Sequence, residues 1–412
     1  MTTDSIGTPG TSGTMTSDKP LLSLVLGIRP DVIRANILIS ILRRELGEDF
    51  EFVWSGQHYS SNMKDVFFED LQVPRPDVEL DVENDSDASF LSSMQIALDQ
   101  YIRERNPSAI VFLGDTNTVL GSVTAAMHNI PIIHIEGCMR SYNWEMPEEK
   151  NRTVIDHLSD RIYAYLEEYK AQGLAEGIAE NQIQVTGNPI VDVLERQFLD
   201  GPLRFNQETI FSLKEDHGLS SSERFVTMTI HRRENISKVD SLRNILSLAD
   251  IVEHKVIFFA GYATQRYLEQ FALSLPDNVL VFDPTGYKTF TNLMYESEFV
   301  ISDSGTVVEE ASILGIPSVQ VRKSTERPQV YDWHSSVRFD PELGHEADSG
   351  TSVEDVLSRV MRMKRQGWKH QLGDGYASER IADDLINRLR NGTLKAARLD
   401  ENNPLHARAY SE

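Results

Sequence analysis

Acidic side chains recur at the points where apolar runs give out. The segments Gly114-Asp115-Thr116-Asn117-Thr118 and His134-Ile135-Glu136-Gly137 follow this pattern, and Glu148, in Met146-Pro147-Glu148-Glu149-Lys150-Asn151-Arg152, lies twelve residues beyond Glu136. If Asp115, Glu136 and Glu148 converge on one cleft, mutual repulsion and burial raise some of their pKa values, as acid–base chemistry at neutral pH requires. A plainer reading stands beside this one. Thr116 or Asn117 can cap a helix, and one of Glu148 and Glu149 can serve a helix dipole, but capping alone does not require Asp115 as well.

The second half of the chain offers a different chemistry. The apolar run 225–230 leads into His231-Arg232-Arg233-Glu234-Asn235, where His231 can act as acid, base or phosphate donor. Further on, Asp303-Ser304-Gly305-Thr306 opens a helical pattern containing Glu309 and Glu310. Small residues at a helix start expose backbone N–H groups to a phosphate. Glu310 is placed to accept from ribose hydroxyls, with Arg327 of Thr325-Glu326-Arg327-Pro328 as countercharge. Near the start, Gly27-Ile28-Arg29-Pro30-Asp31 offers Arg29 as a bidentate anion fork at a strand–helix turn. Each motif alone is weak. Together they describe a nucleotide diphosphate on the second half facing carboxylates on the first.

Positioning these residues takes strands whose carboxyl ends share a crevice. Apolar runs at 21–28, 50–54, 109–113, 132–135 and 161–164 alternate with helical patterns, and a second series follows at 225–230, 256–260, 279–282, 299–302 and 318–321. Continuous apolar strands separated by helices mean parallel sheets covered on both faces. The reading is therefore α/β, with two Rossmann-like doubly wound domains and a site in the cleft between them. We expect residues 1–20 to form a disordered tail, 21–190 the first domain, 191–375 the second, a helix at about 376–394 packing back on the first, and 396–412 a polar tail.

Composition excludes several classes. The chain of 412 residues suits two domains, and 40% hydrophobic with 25% charged residues is ordinary for a soluble globular protein. No apolar run reaches the ~18 residues of a membrane span. A net charge of −23, with no basic patch, argues against a nucleic-acid partner. Cys138 is the sole cysteine, which suits a reducing cytoplasm and reads as a small buried side chain. The eleven histidines include no HExxH, so no catalytic metal is expected. Neither GxGxxG after the first strand nor a P-loop is present, which argues against a tightly held dinucleotide.

The ordered set of motifs, with Thr186-Gly187-Asn188-Pro189 added, resembles the non-hydrolysing UDP-N-acetylglucosamine 2-epimerases over residues 21–394. The resemblance implies the glycosyltransferase-B architecture, a homodimer, a UDP-sugar substrate, no cofactor and no metal. It implies inversion at C2 for surface polysaccharide precursors: a base takes the C2 proton as UDP leaves C1, and UDP re-adds to a 2-acetamidoglucal. Asp115, Glu136 and Glu148 would carry the acid–base and electrostatic work, while His231 would contact the diphosphate. Arg29, Ser304, Gly305 and Thr306 would bind phosphates, Glu310 the ribose, and Phe290 would stack on uracil. Arg34 stands where the family often has Lys, with a different geometry for the same charge.

Departures bear on the sugar. The family's Gly-Thr-Arg-Pro-Glu opening is Gly27-Ile28-Arg29-Pro30-Asp31, and Gly261-Tyr262-Ala263 replaces its His-x-Asn-Pro. The loop Arg140–Met146 is closer to relatives acting on a 2,3-diacetamido glucuronate or a 2-acetamido-6-deoxy hexose. Gln57-His58 resembles part of a second, regulatory UDP-sugar site. The alternatives are a hydrolysing 2-epimerase, a glycosyltransferase on the same fold, and a silent UDP-sugar-binding regulator. A glycosyltransferase gives no reason for three strand-end carboxylates, and a regulator needs none of Asp115, Glu136, Glu148 and His231 together.

Overall fold

The computed structural model describes residues 21–56, 73, 75–345 and 352–395. Both expected tails and Gln57-His58 lie outside the described residues. The first sheet has seven strands in the order β3-β2-β1-β4-β5-β6-β7: β1 (Leu22–Leu26), β2 (Phe50–Trp54), β3 (Val78–Glu79), β4 (Ala109–Leu113), β5 (Ile132–Ile135), β6 (Arg161–Ala164) and β7 (Ile183–Val185). The second has six in the order β10-β9-β8-β11-β12-β13: β8 (Phe225–Thr229), β9 (Lys255–Phe259), β10 (Val279–Phe282), β11 (Val300–Ser302), β12 (Ser318–Val321) and β13 (Ser336–Phe339). Every pairing is parallel.

Helices cover the sheets, so the central strands are buried along their whole length and carry apolar residues on both faces. In each sheet the chain order reverses beside the first strand, between β1 and β4 and again between β8 and β11. These are the switch points where doubly wound sheets open a crevice at their carboxyl ends. The loops following β1, β4, β8 and β11 are those that carry the motifs of interest.

The two halves share packing. One apolar cluster joins Leu24, Val111 and Ile135 of the first sheet to Met294, Val300 and Ala311 of the second half. The closing helix Ala377–Arg390 lies against helix Arg29–Leu46. Its first turn is fastened by buried Asp192, which accepts from the N–H groups of Ala377 and Ser378 at 3.0 and 2.6 Å.

Candidate active site

Asp115 is delivered by a turn that favours glycine. Gly114, following β4, has φ +82°, and a Cβ there would stand 3.1 Å from Arg34 Nη2 and 3.2 Å from Asp31 Oδ1. The Asp115 carboxylate pairs with Arg152, and its backbone carbonyl accepts from Asn151 Nδ2 at 2.9 Å. Both partners sit on helix Pro147–Leu158. Burial works to raise the Asp115 pKa, but Arg152, with Arg327 and Arg34, outweighs it and holds the carboxylate below its ordinary range.

Glu136 leaves β5 at φ +79°, a conformation unusual for a residue with a side chain, and is held there because its N–H and that of Gly137 both reach the Tyr163 carbonyl. Its buried carboxylate is taken by two guanidiniums: Arg34 from the first half, and Arg327 Nη2 from the second at 2.9 Å. Tyr165 donates a further hydrogen bond at 3.2 Å. Arg34 also reaches Asp31 Oδ1 at 2.7 Å, so one planar fork spans two carboxylates. Burial first, and then Asp115 nearby, push Asp31 up to about 6 against the pull of Arg34.

Helix Pro147–Leu158 separates its two first-turn acids. Glu149 is buried and accepts from Ser141 N–H, Ser141 Oγ, Tyr142 N–H and Arg152 Nη1, at 2.7–3.1 Å. It is therefore the structural member, fastening loop 140–146. Glu148 is half-buried, and its charge is felt by Arg232 in the second half. The fastened loop in turn reaches across, with Asn143 Nδ2 donating to Ser324 Oγ at 3.0 Å.

In the second half, buried Asp303 organises the turn after β8. It accepts from the N–H groups of His231 and Arg232 and from Asn235 Nδ2, at 2.9–3.2 Å. The His231 ring is left exposed, with Nδ1 3.5 Å from Asp303 Oδ1. Ser304 caps helix Gly305–Ile313 through Val307 N–H at 3.4 Å. A Cβ on Gly305 would lie 2.7 Å from Arg327 Nη1 and 2.8 Å from Glu326 Oε1, so the helix start sits flush on that pair. Half-buried Thr306 follows it.

Arg327 is ion-paired with Glu309, Glu326 and Glu136, so its countercharge goes to Glu309 rather than to Glu310. Glu310 is raised to about 8, by burial first and by Glu309 second. Glu326, missing from the sequence-based set, is taken by Arg322 at 3.0 Å and lies 3.7 Å from Arg152. These guanidiniums overcome its burial and hold it well below the ordinary carboxylate range. Arg29 stands at the first position of helix Arg29–Leu46, where burial lowers its pKa. Phe290 is half-buried and meets the edge of Phe259 at 5.5 Å.

The structure thus joins Asp115, Glu136, Arg34, Gly305 and Arg327 in one network, with Glu148, His231 and Ser304 on adjoining turns. The neighbouring acids do not raise Asp115, because arginines from both halves intervene; carboxyls that are raised nearby include Asp31 and Glu310. Arg152, Asp303 and Glu326 were visible only as members of motifs, with no local signal of their partners. Among the described residues, no group of His, Cys, Asp and Glu is arranged to hold a metal ion. Nor, among them, is any helix long and apolar enough to cross a membrane.

A family model described as UDP-N-acetylglucosamine 2-epimerase matches residues 41–386. The UDP-N-acetylglucosamine 2-epimerase of Methanocaldococcus jannaschii is 32% identical, over 87% of this chain and 97% of its own length. Its crystal structure in complex with UDP-GlcNAc and UDP superposes with a TM-score of 0.78, covering 89% of this chain and 99% of that one at 30% identity. The UDP-2,3-diacetamido-2,3-dideoxy-D-glucuronate 2-epimerase of Pseudomonas aeruginosa is 30% identical over 88% of this chain and 98% of its own. A spinosyn rhamnosyltransferase, 12% identical with a TM-score of 0.51, covers 90% of this chain and all of its own, and shares the fold alone.

Proposed function

This chain belongs to the UDP-N-acetylglucosamine 2-epimerase family, and we propose that it inverts C2 of a UDP-2-acetamido sugar without hydrolysis, interconverting UDP-N-acetylglucosamine and UDP-N-acetylmannosamine or a modified counterpart. The observation that carries this reading is the Glu136 carboxylate, held between Arg34 and Arg327 beside the Asp115–Arg152 pair. Epimerisation needs carboxylates at the sugar and fixed positive charge at the departing diphosphate, and this network has both within reach.

In the proposed cycle a carboxylate removes the C2 proton while the C1–O bond breaks, its electrons leaving with UDP. The resulting 2-acetamidoglucal accepts a proton at C2 from the opposite face as UDP re-forms the C1–O bond. Asp115, Glu136 and Glu148 are assigned the proton transfers and the stabilisation of positive character at C1. His231, Arg29, Ser304, Gly305 and Thr306 are assigned to the diphosphate, Glu310 to the ribose and Phe290 to the uracil. The Gly305 helix start supports the phosphate assignment through its N–H groups. Arg34 and Arg327, already paired with Glu136, would share that carboxylate with the substrate's charge.

A homodimer of chains that divide into two domains at about residue 190 completes the proposal. Ile96, Val123 and Met127 support it, exposed by 64, 37 and 79% on two helices packed side by side. A cytoplasmic location is supported by the single thiol, Cys138, which is buried and pushed up by that burial.

The test is incubation in deuterated water with a panel of UDP-2-acetamido sugars, including a 2,3-diacetamido glucuronate. Deuterium enters C2 and both epimers appear for the true substrate. Stoichiometric UDP release instead selects hydrolysis, and absence of exchange across the panel removes the reading.

A further inference from the structure

His134 stands two residues before Glu136 in β5 and has no role in the chemistry described so far. Its ring is completely buried, with Nδ1 2.7 Å from Asp156 Oδ1 and Nε2 2.8 Å from the Gly114 carbonyl oxygen. A carbonyl oxygen can only accept. The Asp156 carboxylate also accepts from Cys138 N–H at 2.9 Å and Arg140 Nη1 at 2.7 Å, both on Oδ2. Burial opposes its ionisation, but His134 and Arg140 prevail and Asp156 lies below the ordinary range. Two acceptors therefore face the two ring nitrogens. A neutral ring would turn a lone pair on one of them, away from water, and leave that contact without a hydrogen bond.

The two oxygens it holds belong to the two backbone segments that meet at the site. The Gly114 carbonyl is part of the peptide that enters Asp115. Asp156 lies one turn beyond Arg152 on helix Pro147–Leu158. Asp115 and Arg152 form the ion pair at the centre of the network. A single ring thus ties the segment bearing the carboxylate to the helix bearing its guanidinium.

We infer that His134 is a positioning residue that, as a buried imidazolium, sets the Asp115–Arg152 pair by gripping the Gly114–Asp115 peptide and Asp156 together. The charged groups around it act in this sense. Asp156 faces it from the helix and Arg140 stands behind Asp156 from the loop after β5. Glu176, following helix Glu167–Ala175, holds Arg140 at 2.6 Å and lies 3.6 Å from His157. Asp115 lies one peptide beyond Gly114, while β6 contributes apolar Ile162 against neighbouring Gly137.

The activity part of the test rests on the epimerase reading; the spectroscopic part does not. The full chain is labelled with 15N-histidine and its ring resonances are followed from pH 6 to 9.5, with His134→Gln used for assignment. The expected spectrum has one ring with two slowly exchanging N–H protons at neutral pH. If His134→Gln does not fold, the wild-type spectrum decides, because a doubly donating buried ring is distinguishable among the eleven histidines. A single neutral tautomer at pH 7 overturns the inference. In the folded variant, kcat falls about 100-fold with KM little changed, as for a misplacement of ~1 Å. The wild type loses kcat at the alkaline pH where the ring deprotonates, and His134→Gln lacks that limb. A variant with wild-type kcat, or one that keeps the limb, also overturns it. Inactivity of the wild type on every UDP-sugar sinks the epimerase reading instead and leaves the ring spectrum to decide the charge state.

Discussion

Glu136→Gln removes one charge from the centre of the network and keeps the side chain's shape. General acid–base contributions of 10²–10⁴ in rate correspond to about 2.7–5.4 kcal/mol of barrier, at ~1.36 kcal/mol per factor of ten. Turnover should fall within that span. Stability should fall too, because Glu136 is 2% exposed and two guanidiniums depend on it. Removing one partner of a buried pair costs about 3–5 kcal/mol. Here the lower end applies, since Arg34 retains Asp31 while Arg327 retains Glu309 and Glu326. UDP affinity should stay within about threefold, the phosphate-facing helix start being untouched. A control separates chemistry from bracing. Glu309→Gln removes a carboxylate of equal burial, 3.2 Å from the same Arg327, and should lower the melting temperature comparably while costing less than tenfold in turnover. Epimer formation is followed by the anomeric protons in NMR, UDP binding by calorimetry, and stability by thermal melts. A folded Glu136→Gln within tenfold of wild-type turnover, or matched by Glu309→Gln, would refute the catalytic assignment and leave Glu136 as a brace.

Glu310→Gln tests the raised carboxyl. Between its ordinary value of 4.5 and about 8 the folded chain holds a proton that the unfolded chain has lost, so wild-type stability falls as pH rises through that window. The variant should show a flatter melting profile from pH 5 to 8 and weaker UDP binding; equal slopes would dismiss the shift. Met127→Asp introduces a charge into the exposed Ile96–Val123–Met127 face and should convert a dimer to monomer in sedimentation, whereas a monomeric wild type ends the dimer proposal.

The fold was legible because the central strands are uninterrupted apolar runs between turns, and their ends fell within a residue or two of the sequence reading. Three strands were not expected: Val78–Glu79, Ile183–Val185 and Ser336–Phe339. All three sit at sheet edges, where Glu79, Gln184 and Arg338 break the apolar signal and short length removes periodicity. The site was legible where chemistry coincides with a strand end, as at Asp115, Glu136, His231 and Ser304. Ion-pair partners were not. Arg327 meets Glu136 across 191 residues of chain, and nothing in either local sequence names the other. The same blindness hides the direction of the Asp115 shift, since the neighbouring acids are visible in sequence and the arginines between them are not.

That direction narrows the roles of the three carboxylates. A group held below its ordinary range is a poorer proton acceptor, and Asp115 is such a group. It remains ionised, one fifth exposed, beside Arg152, and this suits it to oppose positive charge at C1 as UDP departs. In the proposed cycle, proton exchange at C2 is then assigned to Glu136 and Glu148, which stand on separate elements. Two isotope readouts in Asp115→Asn separate the possibilities. Loss of charge stabilisation at C1 suppresses scrambling of an 18O label from the C1–O–P bridge into the β-phosphate together with deuterium entry at C2. Were Asp115 the C2 base instead, with C1–O cleavage running ahead of proton removal, the bond could still ionise and return, so the label would scramble while deuterium entry failed. Scrambling retained at wild-type rate with exchange abolished would therefore reverse the assignment and return the base to Asp115.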